Sequence, residues 1–152
     1  MFAREHGLLS ETLGALARAI EHVGSTAVDA MPAKPIIDIA VAVDSLDTVP
    51  EIITRLERRG YLYRGDGAFT GGHLFIREST PGVRTHHVHV VAADDPQWQS
   101  WLRFRHFLRT DRELRHRYIR LKRELSARFP SDRRSYTLAK SRFIESILSH
   151  DT

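Results

Sequence analysis

The chain has 152 residues, no cysteine and a formal net charge of +4, with arginine supplying most of the positive charge. That length suits one domain, residues 1–152, able to bury a core without covalent staples. The absent thiols exclude a disulfide framework, a thiolate metal site and a cysteine nucleophile. No run approaches the roughly 18 apolar residues of a membrane span. Glu5, Glu11 and Glu21 also interrupt the N-terminal apolar residues, which is wrong for a secretion signal. A cytoplasmic protein with no membrane partner is expected, and its modest basicity leaves polyanions, nucleic acid included, as possible partners.

Leu9, Leu13, Leu16, Ala17 and Ile20 recur at helical spacing and predict an amphipathic helix over residues 8–20. A short strand, Ile20 to Val23, follows and is broken by Gly24-Ser25. The stretch Met31-Pro32-Ala33-Lys34-Pro35 cannot be regular, because each proline removes a donor and fixes φ. Ile36 to Val43 is then an almost continuous β-branched run, the mark of a strand buried on both faces. Thr48 is placed to cap a helix that Gly60 stops. Tyr61 to Tyr63 and His73 to Arg77 read as strands joined by a glycine-rich turn, and Thr85 to Val91 as a third after the Pro81-Gly82 turn. From Pro96 onward the apolar spacing is helical, with breaks near Pro130. The pattern is α+β: a mixed sheet with flanking helices and a helical C-terminal third.

Asp38 alone breaks the buried run. A carboxylate among Ile36, Ile37, Ile39 and Val41 costs several kcal/mol unless it is paired or binds a cation. Alternation places Asp38 with Ala40 and Ala42 on one face, and these small alanines predict room for something to lie over it. On the later strand His87 and His89 share a face, so both can reach one ion or one phosphate. One carboxylate with two imidazoles suits Mn, Zn, Fe or Ni better than Mg. Gly24-Ser25-Thr26 reads either as a phosphate cradle at a helix start or as an ordinary capped turn. Lys34 is either a phosphate contact on a stiff loop or an exposed lysine.

Two blocks carry a resemblance: Ile20-Glu21-His22-Val23-Gly24-Ser25-Thr26-Ala27-Val28, and Met31-Pro32-Ala33-Lys34-Pro35-Ile36-Ile37-Asp38-Ile39. Together with His87-Val88-His89-Val90, Phe104 to Arg109, and Tyr136 with Lys140, Phe143 and Ile144, they resemble the GrpB (UPF0157) family, a branch of the nucleotidyltransferase superfamily. The resemblance implies a polymerase-β-like mixed sheet. It implies metal-dependent transfer of a nucleotidyl group from a nucleoside triphosphate, with a divalent ion (Mg, Mn or Zn) as cofactor. Carried over, Gly24 and Ser25, with Thr26 and Lys34 beside them, would bind phosphate. Asp38 would be the catalytic metal ligand, and Arg105 and Lys140 would meet an anionic substrate. Ala40 stands where the family chemistry implies a second acid, and His87 and His89 stand where a third is expected. A second reading is therefore a module that binds a nucleotide or phosphorylated metabolite without turnover. A third is a nucleic-acid binder using the arginine-rich C-terminal helices. A hydrolytic Asp/His metal site would need a further ligand, which His22 supplies if its strand lies beside Asp38.

Overall fold

A computed structural model describes residues 2–24, 36–67 and 72–149. Ser25, Thr26 and Lys34 lie outside the described residues. The chain order is α1 (Phe2–Leu13), β1 (Ala19–Val23), β2 (Ile37–Val43), α2 (Val49–Glu57), β3 (Leu62–Gly67), β4 (Gly72–Thr80), β5 (Val83–Ala92), α3 (Pro96–Thr110), α4 (Arg112–Arg128) and α5 (Arg133–Ser149). The first helix lies earlier than the apolar spacing predicts. Gly14, at φ +52°, leaves the right-handed helical region and opens a single 3-10 turn, Gly14–Leu16. The apolar residues beyond it therefore belong to the turn and to β1. Thr48 stands at the N-cap position of α2, but its side chain makes no capping hydrogen bond. Ser45 accepts from the Asp47 amide at the head of a short 3-10 turn that leads into α2, and the Thr48 hydroxyl donates to the Ser45 carbonyl.

The five described strands form one mixed sheet in the order β1-β2-β5-β4-β3. β2 pairs antiparallel with β1 and parallel with β5. The β-branched run of β2 is central, as a strand buried on both faces should be. One face, carrying Ile37, Ile39, Val41, Val88 and Val90, packs against Leu9 and Leu13 of α1 and Ile52 and Leu56 of α2. A polar cluster is embedded in that face. Glu5, only 6% exposed, accepts from the Tyr61 hydroxyl and pairs with the Arg77 guanidinium at 2.9 Å. Arg77 also lies over the Tyr61 ring and donates to the Arg59 carbonyl. Each buried charge thus has a partner, as burial of ions requires.

The opposite face carries Val23, Ala40, Ala42 and Val91 and packs against Trp98 of α3, with Trp101 and Leu102 alongside. What lies over the small alanines is this helix. Ala40 is 0% and Ala42 1% exposed, and a helix occupies the room that their small side chains provide. α3 starts at Pro96 behind an Asp95 cap. Asp111 closes it, its backbone N–H donating to the Phe107 carbonyl, and its carboxylate caps α4 by accepting from the Leu114 amide at 3.0 Å. A third cluster, centred on Phe104, Leu108, Leu114 and Tyr118, joins α3 and α4 to Phe143 and Ile144 of α5.

Candidate functional site

The parallel register of β2 and β5 sets Asp38 beside His87 and Ala40 beside His89. Alternation aims the carboxylate and both imidazoles to the same side of the sheet. His87 Nδ1 lies 3.3 Å and His89 Nε2 3.5 Å from Asp38 Oδ1. One ligand atom from each residue lies within 4.8 Å of the other two. The two short separations are those of long hydrogen bonds, beyond the roughly 2.7–2.9 Å of a tight charge-assisted one. An edge of about 3.3 Å is what a tetrahedral zinc site with bonds of about 2.05 Å has, so these two edges are of the right size for such a site. Two imidazoles and one carboxylate suit a borderline transition metal better than Mg, which prefers oxygen donors.

Asp38 stands near the start of β2, at the margin of the α3 cover, and keeps 33% of its side-chain surface accessible. Crowding by protein raises its carboxyl pKa. Hydrogen bonds from His87 and His89, and the positive charge those rings can carry, outweigh that and hold the group well below the usual carboxylate range. Gly24, the described member of the Gly-Ser-Thr motif, sits directly against this carboxylate. Its φ is +74°, and a Cβ there would lie 2.9 Å from Asp38 Oδ2. The start of the expected phosphate-binding turn thus touches the candidate metal ligand.

β1 does lie beside β2, but His22 pairs with Ile39 and so faces the α1 side, where its ring stacks on Phe2 at 4.8 Å. Burial lowers its pKa against the pull of Asp38. His22 is therefore not brought to the other two histidines. Arg105 is engaged by β1: its Nη1 donates to Glu21 Oε2 at 3.0 Å and to the His22 carbonyl at 2.9 Å. Lys140 on α5 lies 5.9 Å from the Tyr136 ring centroid. Several arginines of the C-terminal helices also have partners within the protein. Arg115 closes the Leu108 and Arg109 carbonyls, Arg103 reaches the Leu148 carbonyl, and Arg117 lies over Phe143. Trp101, which residue-type reasoning does not assign to the site, lies 5.4 Å from the His89 ring. Its signal is the spacing of four between Trp101 and Arg105, which puts both on one helix face.

No described helix is long and apolar enough to cross a membrane. The family model for GrpB protein matches residues 1–150. The chain is 33% identical to the glutamate-rich protein GrpB of Alkalihalophilus pseudofirmus, over 98% of this chain and 87% of that one. It is 32% identical to the UPF0157 protein YqkA of Bacillus subtilis, of which it spans only 41%, and 35% identical to a UPF0157 protein of Pseudomonas aeruginosa, of which it spans 61%. Its fold superposes on the crystal structure of conserved protein GrpB from Enterococcus faecalis with a TM-score of 0.83 and 33% identity, covering 98% of this chain and 88% of that one. With the family model matching residues 1–150 and a relative one-third identical over most of both chains, the chain belongs to the GrpB family.

Proposed function

We propose that this protein holds one divalent transition-metal ion at Asp38, His87 and His89 and uses it to bind a nucleotide, transferring the nucleotidyl group to an acceptor. The observation that carries this reading is the convergence of three donor atoms at separations of 3.3 and 3.5 Å about Asp38 Oδ1. Three protein ligands leave a position open, the arrangement that catalytic zinc sites use. A bound ion there supplies Lewis acidity to a phosphoryl oxygen. Asp38 brings the one negative charge of the donor set, and the two imidazoles bring none when neutral. A triphosphate therefore meets less repulsion than at a site with three carboxylates. Gly24 lets the backbone approach the carboxylate, which brings the head of the Gly-Ser-Thr motif to the metal ligand. A cytoplasmic setting fits this reading, since nucleoside triphosphates are held there.

A second reading, binding without turnover, draws on Ala40. That position is sealed beneath Trp98, so the two-metal arrangement of the superfamily has no place for its second acid. The test is titration of metal-stripped protein with ATP, GTP, CTP and UTP, with Mn, Zn or Mg, followed by assay of pyrophosphate release on adding acceptors. Metal-dependent binding with release supports transfer, and binding without release supports the second reading. Asp38→Ala is expected to abolish metal binding and any activity while the fold persists. Unchanged metal binding in that variant would refute the site.

A further inference from the structure

Metal-ligating histidines are ordinarily oriented by a hydrogen bond from the second ring nitrogen, and losing that contact costs about 10–100-fold in affinity. Here the second nitrogens, His87 Nε2 and His89 Nδ1, are buried and have no hydrogen-bond partner among the described residues. Among the described residues the contact that can orient a ring is packing. The His89 ring meets the Trp101 indole at a centroid distance of 5.4 Å and an interplanar angle of 50°. One helical turn later, Arg105 clamps Glu21 Oε2 and the His22 carbonyl. These acceptors immediately precede Val23, the register partner of Asp38, and Gly24, which abuts its carboxylate. α3 therefore bears on the triad from the His89 side through Trp101 and from the Asp38 side through Arg105.

We infer that α3 is a brace that presets the donor spacing of the metal centre. Trp101 is the positioning residue for His89, and Arg105, through Glu21 and the end of β1, is the positioning residue for Asp38. This inference rests on the metal reading above and changes the role of Arg105 from substrate contact to support. The donor spacing exists before the ion arrives because a rigid helix holds both walls, which is how sites gain affinity without additional ligands.

The test is titration of metal-stripped protein with Co(II), followed by the visible absorption of the four-coordinate ion. The variants are Trp101→Leu, Trp101→Phe, Arg105→Gln and Arg105→Lys, with Arg18→Gln as control. Arg18 pairs with Asp44 and marks the other end of β1. Circular dichroism and unfolding midpoints establish that each variant is folded. Wild type is expected to bind with a strong four-coordinate band. Trp101→Leu and Arg105→Gln should each weaken Co(II) binding about tenfold, the lower end of the effect of losing an orienting contact, and reduce or shift the band. The Phe and Lys variants should fall between these and wild type, and they carry the test if either larger change prevents folding. Arg18→Gln should match wild type. Folded Trp101 and Arg105 variants with wild-type affinity and band would overturn the brace and leave the metal centre standing. Arg105→Gln that keeps Co(II) affinity but loses ATP affinity would overturn it in favour of a substrate contact. No Co(II) binding by wild type would overturn the metal reading and the brace together.

Discussion

Replacing Gly24 by alanine separates backbone strain from damage to the site. At φ +74° an alanine is strained by about 1–2 kcal/mol relative to glycine. Its methyl group would also sit 2.9 Å from Asp38 Oδ2 and 3.3 Å from Asp38 Cβ, so the carboxylate must move. The strain alone should lower the melting temperature of the metal-free protein by about 2–8 °C, at about 2–4 °C per kcal/mol for a domain of this size. The displaced ligand should weaken Zn(II) or Co(II) binding by at least about tenfold. Gly60→Ala is the matched control. Gly60 has φ +89°, and a methyl group added there would meet nothing within 4 Å, so it carries the strain without the collision. Thermal unfolding of the metal-free proteins and calorimetric metal titration read the two effects separately. The expected result is that both variants lose stability, Gly24→Ala at least as much as Gly60→Ala, and that only Gly24→Ala binds metal poorly. Equal metal affinities in the two variants would refute the argument that Gly24 is needed for its close approach to Asp38.

Three further outcomes are expected. Ala40→Asp should not restore a two-metal site. It buries a carboxylate under Trp98, a cost that the neighbouring His89 offsets only in part, and should destabilise the protein by several kcal/mol, seen as a lower urea midpoint with no gain in Mg-dependent pyrophosphate release. Glu5→Ala removes the acceptor of Tyr61 and the counter-charge of Arg77. A loss of about 3 kcal/mol is expected by chemical denaturation, against about 1 kcal/mol for Tyr61→Phe, which deletes one hydrogen bond. Burial lowers the pKa of His86 below its ordinary 6.5, with Glu5 opposing and Arg77 reinforcing that shift. The unfolded chain therefore takes up a proton as pH falls through about 6.5 while the folded protein resists. The stability contributed by this group is complete above that pH and is lost as pH falls toward the folded value. Urea midpoints at pH about 7.5 and about 5.5 should differ less in His86→Gln than in wild type, and an unchanged difference would remove His86 from the account.

The chemistry of the site is largely written in single residues. Asp38 stands out because nothing else in its strand is charged, and alternation alone pairs His87 with His89. What local pattern cannot supply is the parallel register that sets Asp38 beside His87, because that pairing depends on the crossover through α2, β3 and β4. The alanines show the same limit. Small side chains state that something comes close, and whether it is a ligand or Trp98 is decided by a helix more than fifty residues away. Glu5 marks a position unlike a secretion signal when read along the sequence. In the fold it is the buried acceptor of a cluster whose other members come from Tyr61, Arg77 and His86. Apolar spacing carries the expected first helix past Gly14, and only the positive φ there shows that the helix has already ended.

The parallel seam between β2 and β5 also orders events during folding. β1 and β2 are neighbours in sequence and can pair early, whereas Asp38 meets His87 only after 48 intervening residues have been laid down and β5 has docked between β2 and β4. Contacts across such a separation are late and slow to form. The full donor set is therefore absent from the unfolded chain and from any intermediate that lacks β5, and an ion has little to hold in those species. Metal added during refolding should leave the rate of collapse unchanged and slow unfolding instead, so that the ion seals a sheet already closed rather than seeding it.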